Sequence, residues 1–189
     1  MRFIVASAIG AALLLPPAVM SQAKEERFTG FAINMNSGPS TATVDFTVER
    51  WSTDAERASL LTILVEEKNP YRANEKMLKV LQDMPKTGYI RTQRTLAWDL
   101  KYARQTPLPD GARRLVLATD RPIGFREAVA QPRTTDYPFT IVEIRLNKND
   151  EGEGKILAGT RLLIDKDKNL VLENYGQQPV RFNQIRRLK

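Results

Sequence analysis

The chain has 189 residues, with 29 Lys plus Arg against 22 Asp plus Glu and neither cysteine nor histidine. Those absences exclude disulfide scaffolds, thiolate zinc sites, iron–sulfur clusters, cysteine nucleophiles, Ser-His-Asp catalysis and imidazole metal sites. An apolar share of 42% beside 27% charged residues is that of an ordinary folded chain, and one domain is the expectation at this length.

The first 23 residues differ from the rest. Arg2 supplies a positive start, Phe3 to Leu15 is uncharged and mostly apolar, and Pro16-Pro17 breaks any helix there. Ser21-Gln22-Ala23 then offers small residues just before Lys24-Glu25-Glu26-Arg27. This three-part pattern predicts a signal peptide over residues 1–23 and a secreted or periplasmic product. The apolar run is shorter than the roughly 20 residues a membrane-spanning helix needs. No later run is longer, so no transmembrane segment is expected after processing.

Residues 24–189 read as one antiparallel β domain. Phe28 to Met35 suits a first strand, and Asn36-Ser37-Gly38-Pro39-Ser40 suits a turn. Thr43 to Glu49 alternates, with Val44, Phe46 and Val48 on one face. The period then changes. Thr53 with Glu56 forms a capping-box pair, and Ala58, Leu61, Leu64 and Val65 follow at helical spacing as far as Asn69-Pro70. Met77, Val80, Leu81 and Met84 mark a second helix that Pro85 ends. A two-helix hairpin inserted at about 53–84 is thus predicted.

Beyond it lie strands and turns. Tyr89 to Thr92 is short, and Leu96, Trp98, Leu100 and Tyr102 alternate with Ala97, Asp99, Lys101 and Ala103. Pro107-Leu108-Pro109-Asp110-Gly111 is a turn, and Arg114 to Thr119 is the next strand. Asp120 to Asp136 is a long irregular excursion. Phe139 to Leu146, Lys155 to Ile164, Leu170 to Tyr175 and Val180 to Ile185 complete the set. Close spacing argues antiparallel pairing, because parallel strands need long crossovers. The fold class is therefore mainly β (α+β), a barrel or sandwich meander carrying the helical hairpin.

Few constellations point to chemistry. Asn147, Asn149 and Glu151 stand at calcium-loop spacing before Gly152, but Ala158 occupies the place of the bidentate glutamate. Asp165, Asp167 and Asn169 repeat the pattern with Leu170 where glycine belongs. Both segments read as polar turns, and neither metal nor cofactor is expected. Paired carboxylates drawn from Asp99, Asp120, Asp136, Glu143 and Glu173 could hydrolyse a glycosidic bond without histidine. Glu143 and Arg145, like Arg161 and Leu163, instead suggest cross-strand charge pairing. The basic end from Arg181 to Lys189 favours solubility or contact with an anionic envelope surface, and export argues against nucleic acid as the partner.

Arg50-Trp51-Ser52-Thr53-Asp54-Ala55-Glu56-Arg57, Gly88 to Thr92, Pro109 to Arg114, Ala118 to Ile123 and Asp136 to Thr140 resemble segments of a group of exported bacterial proteins without assigned activity. The resemblance implies an exported protein and carries no catalytic residues with it. The expected function is non-catalytic binding of a partner protein or a small apolar ligand. Trp98, Leu100 and Tyr102 would line the site, and Arg121 and Tyr137 would come from the long loop that closes it. The alternative is a carboxylate-dependent hydrolase acting on a saccharide-like substrate.

Overall fold

The computed structural model describes residues 24–34, 40–92, 96–121, 139–158, 160–164, 170–174 and 180–189. Among them run β1 (Glu26–Asn34), β2 (Ser40–Val48), α1 (Asp54–Glu66), α2 (Pro70–Asp83), β3 (Gly88–Thr92) and β4 (Trp98–Pro107). There follow β5 (Arg113–Thr119), β6 (Thr140–Leu146), β7 (Glu151–Ala158), β8 (Thr160–Ile164), β9 (Leu170–Asn174) and β10 (Val180–Leu188). Eight strands close into an antiparallel barrel in the order β1-β10-β7-β6-β5-β4-β3-β2. β8 and β9 form a separate two-stranded sheet. Of the two predicted architectures, the barrel is the one adopted.

Its interior is filled by side chains from alternate positions of every strand. Phe28 stacks on Phe46 with ring centroids 4.7 Å apart, and Phe182 meets Phe46 edge-on at 6.0 Å. Leu100, Leu115, Leu117, Ile144, Leu146 and Ile156 pack around them, wholly buried. Eight strands leave an interior just wide enough for such filling. Gly30 is part of the fit, since a Cβ there would lie 2.7 Å from Phe182 Cε2. Much of the outer wall is charged: Asp45, Arg91, Arg114, Glu143 and Lys155 lie on β2, β3, β5, β6 and β7 at positions between the interior ones. A membrane-spanning barrel shows an apolar band there instead. Among the described residues no helix is long and apolar enough to cross a membrane.

The helices cover one side of this wall. Thr53 and Glu56 close the predicted capping box on α1. Leu60, Met77, Leu81 and Met84 bury against Tyr102, Ala118, Phe139 and Ile141 on the outside of β4, β5 and β6. Arg50 cinches the hairpin. Its guanidinium donates to Glu56 at 2.8 and 3.1 Å and to the Pro85 and Lys86 carbonyls at 2.8 and 3.0 Å. Arg50 also holds the Glu56 carboxyl below the usual carboxylate range.

Several boundaries differ from the sequence pattern for identifiable reasons. Pro70 opens α2 instead of ending α1, because Asn69 caps the Tyr71 and Arg72 amides and proline needs no donor at a first helical position. The predicted strand from Lys155 to Ile164 is two strands in different sheets. β7 instead begins at Glu151, through a Gly-rich stretch that reads as a turn. Its glycines are required by close backbone approach: a Cβ on Gly152 would sit 1.9 Å from the Arg145 carbonyl oxygen, and one on Gly154 2.4 Å from that of Glu143. Glu143 pairs with Arg114 at 2.7 Å on β5, while Arg161 stands opposite Glu173 in the separate hairpin.

Candidate functional site

The expected binding face on β4 is split. Trp98 sits at the start of the strand, half-buried against the interior core, and Leu100 is wholly buried inside the barrel. Tyr102 is buried as well, but on the opposite side of the wall beneath the helices. Burial there pushes its hydroxyl pKa up against the opposing pull of Arg104. The cause is a bulge: the register passes from Leu100 opposite Thr119 to Tyr102 opposite Ala118, leaving Lys101 as the extra residue. Leu96, placed on the same face by alternation, is 88% exposed. Arg121 is exposed and reaches Asp120 at 3.4 Å. Tyr137, with the rest of 122–138, lies outside the described residues.

At the end of the barrel where β1 begins, the last inward-facing positions carry charges. Glu26 accepts from Arg113 Nη2 at 2.6 Å, and Arg113 also meets Asp150 at 2.7 Å and Gln105 at 2.9 Å. Arg187 reaches Asp150 at 3.1 Å and Glu26 at 3.8 Å. The Arg113 guanidinium lies 5.6 Å from the centre of the Phe28 ring, so the network seats on the aromatic core. Burial opposes the Arg113 charge, yet Glu26 and Asp150 outweigh it and hold its pKa above the ordinary value. This is a polar plug in which each carboxylate is committed to a guanidinium. It closes the barrel without offering a free acid.

The outer wall has a concave feature of a different kind. Around β10 the pairing with β1 shifts between Thr29 and Phe31, and the pairing with β7 shifts between Phe182 and Ile185. Gln184, inside this double bulge, has φ of 52°. A left-handed residue other than Gly, Asn or Asp costs about 1–2 kcal/mol, and such strain collects where a side chain must be aimed. The result is an open groove of about 460 Å³ lined by Thr29, Phe31, Thr43, Glu151, Gln184 and Arg186. Phe31 is 46% exposed, with Thr29, Thr43 and Arg186 among its neighbours in the groove. Glu151 and Arg186 stand opposite each other in register, yet among the described residues neither joins an ion pair.

Sequence reasoning passed over this groove. The available signal was Phe28-Thr29-Gly30-Phe31, in which two aromatics three apart on a strand must face opposite sides. With Phe28 in the core, Phe31 is outside.

The remaining candidate acids are Asp99, Asp120, Asp136 and Glu173, of which Asp120 reaches Arg121 at 3.4 Å and the Glu173 side chain lies outside those described. Asp99 is exposed, 3.7 Å from Lys86, and Asp136 lies outside the described residues. The first calcium-like stretch is the β6–β7 turn, with Asn147 Oδ1 accepting from the amides of Asn149 at 2.8 Å and Glu151 at 3.1 Å. Residues 165–169 of the second are not among those described. Among the described residues no cluster of three or more acids suits a metal ion. No protein-family model matches the chain, and no curated protein or solved structure matches it either.

Proposed function

We propose that this is an exported, non-catalytic binding protein that meets its partner on the outer wall of the barrel. The groove around Phe31 carries the reading: it joins a half-exposed ring, convergent polar side chains and a strained backbone at one place. The filled interior works against the expected apolar ligand within the barrel, because a packed core has no room for a second occupant. The hydrolase alternative gains no support from Glu143, whose carboxylate is paired with Arg114 at 2.7 Å on the outer wall. The leader over residues 1–23 supports export.

Backbone amide shifts of the ¹⁵N-labelled protein test the reading. A soluble extract of bacterial envelope material should move amides of residues 29–31 and 183–186. Dodecanoate should leave Trp98 emission unchanged in a Trp51→Phe background. Shifts centred instead on Leu100 and Ile144, or saturable quenching by dodecanoate, would restore the interior as the site.

A further inference from the structure

We propose that the groove around Phe31 is a saccharide-binding site that lays one sugar ring on the Phe31 side chain. The proposal rests on the outer-wall reading and specifies its ligand class. A pyranose has a flat face of C–H bonds and a rim of hydroxyls, each both donor and acceptor. The groove presents the matching parts. Phe31 offers an exposed apolar ring between polar neighbours. Glu151 can only accept, Arg186 can only donate, and Gln184 and Thr43 do both. Among the described residues none of these four side chains has a hydrogen-bond or ion-pair partner, whereas Thr29 already donates to Asp45 at 2.8 Å.

Other ligand chemistries fit less well. An alkyl chain would cover four polar side chains without pairing them, at a desolvation cost for each. An anion would meet Glu151, and a cation would meet Arg186. An uncharged polyhydroxyl ligand satisfies both, with the carboxylate and the guanidinium on facing strands. The groove volume of about 460 Å³ lies within the usual range for small-ligand sites. The left-handed backbone at Gln184 supplies the aim. In a regular strand Gln184 would alternate with its neighbours, whereas the bulge turns it into the groove beside Arg186.

The test is titration of the ¹⁵N-labelled protein with cellohexaose and with chitohexaose. At least one should give saturable amide shifts concentrated at residues 29–31, 43, 151–152 and 184–186. Phe31→Ala, at an exposed position, should keep the melting temperature and weaken binding about tenfold or more. Gln184→Gly relieves the strained φ, so it should fold at least as firmly while also binding more weakly. Failure of both sugars at millimolar concentration, or equal binding by Phe31→Ala, overturns the saccharide assignment. If the envelope extract still moves the groove amides while both sugars fail, only the ligand class falls. If the extract fails too, the outer-wall reading falls with it.

Discussion

Replacing Glu26 by glutamine probes the polar plug with little change in shape. Glu26 and Arg113 side chains are only 12% and 17% exposed, so their attraction is weakly screened and salt should alter it little. Removing one partner of a buried ion pair costs about 3–5 kcal/mol when the other charge is stranded. Arg113 is not stranded here, because Asp150 at 2.7 Å and the Gln105 amide oxygen at 2.9 Å remain. The substituted side chain keeps one acceptor, so the expected loss for Glu26→Gln is about 2 kcal/mol. For a chain of this length that lowers the melting temperature by about 4–8 °C. Adding Asp150→Asn leaves Arg113 over the Phe28 ring with no carboxylate. The double variant should then lose more than the sum of the singles, since the two acids back each other up. Glu25→Gln, whose partner Arg27 is exposed, serves as control and should change stability by less than about 0.5 kcal/mol. Thermal or urea unfolding of the wild type, both single variants, the double variant and the control decides the matter. A Glu26→Gln melting temperature within a degree of the control would show that the plug is ornamental.

Other outcomes follow from the same structure. Glu56 has a depressed pKa in the fold, so its contribution is full above the unfolded value of about 4.3 and fades as pH falls through the folded one. Glu56→Gln should destabilise at neutral pH by about 1–2 kcal/mol and make the loss of stability below about pH 4 shallower, read from urea midpoints against pH. Leu100→Ala opens a cavity in the filled interior and should cost about 2–5 kcal/mol in chemical denaturation, whereas Leu96→Ala, at an exposed site, should cost almost nothing. Mass analysis of the protein's N-terminus from its native source should find Lys24 first, and a chain retained from Met1 in the cytoplasm would refute processing.

What could be read from the chain was whatever its local chemistry decides. α1 announced itself through Thr53 and Glu56, and α2 through the spacing of Met77, Leu81 and Met84, because caps and faces are set within a few turns. Most strands showed their alternation. Barrel closure was not local: it depends on β10 finding β1 across most of the chain, with Gly30 making room for Phe182. β7 was hidden because Glu151-Gly152-Glu153-Gly154 has the composition of a turn. Those glycines serve a strand whose neighbour's carbonyls lie too near for any side chain.

The expected face on β4 divides for a related reason. Alternation assigns a face only while the register is unbroken, and one inserted residue exchanges the two faces beyond it. Lys101 is such a residue on β4. It lets Leu100 fill the barrel and, two positions later, lets Tyr102 pack beneath α1 and α2. The bulge is held from outside: Ser52 Oγ accepts from the Ala103 amide at 3.0 Å, while the Ser52 amide donates to the Ala103 carbonyl at 2.7 Å. The segment leading into α1 thus docks on the strand just where its faces exchange. An irregularity of the same type on β10 exposes Gln184 beside Phe31 and opens the groove. On β4 the helices cover the bulged wall, and on β10 the described residues leave it open. The same backbone device therefore serves packing at one site and, on the proposed reading, recognition at the other.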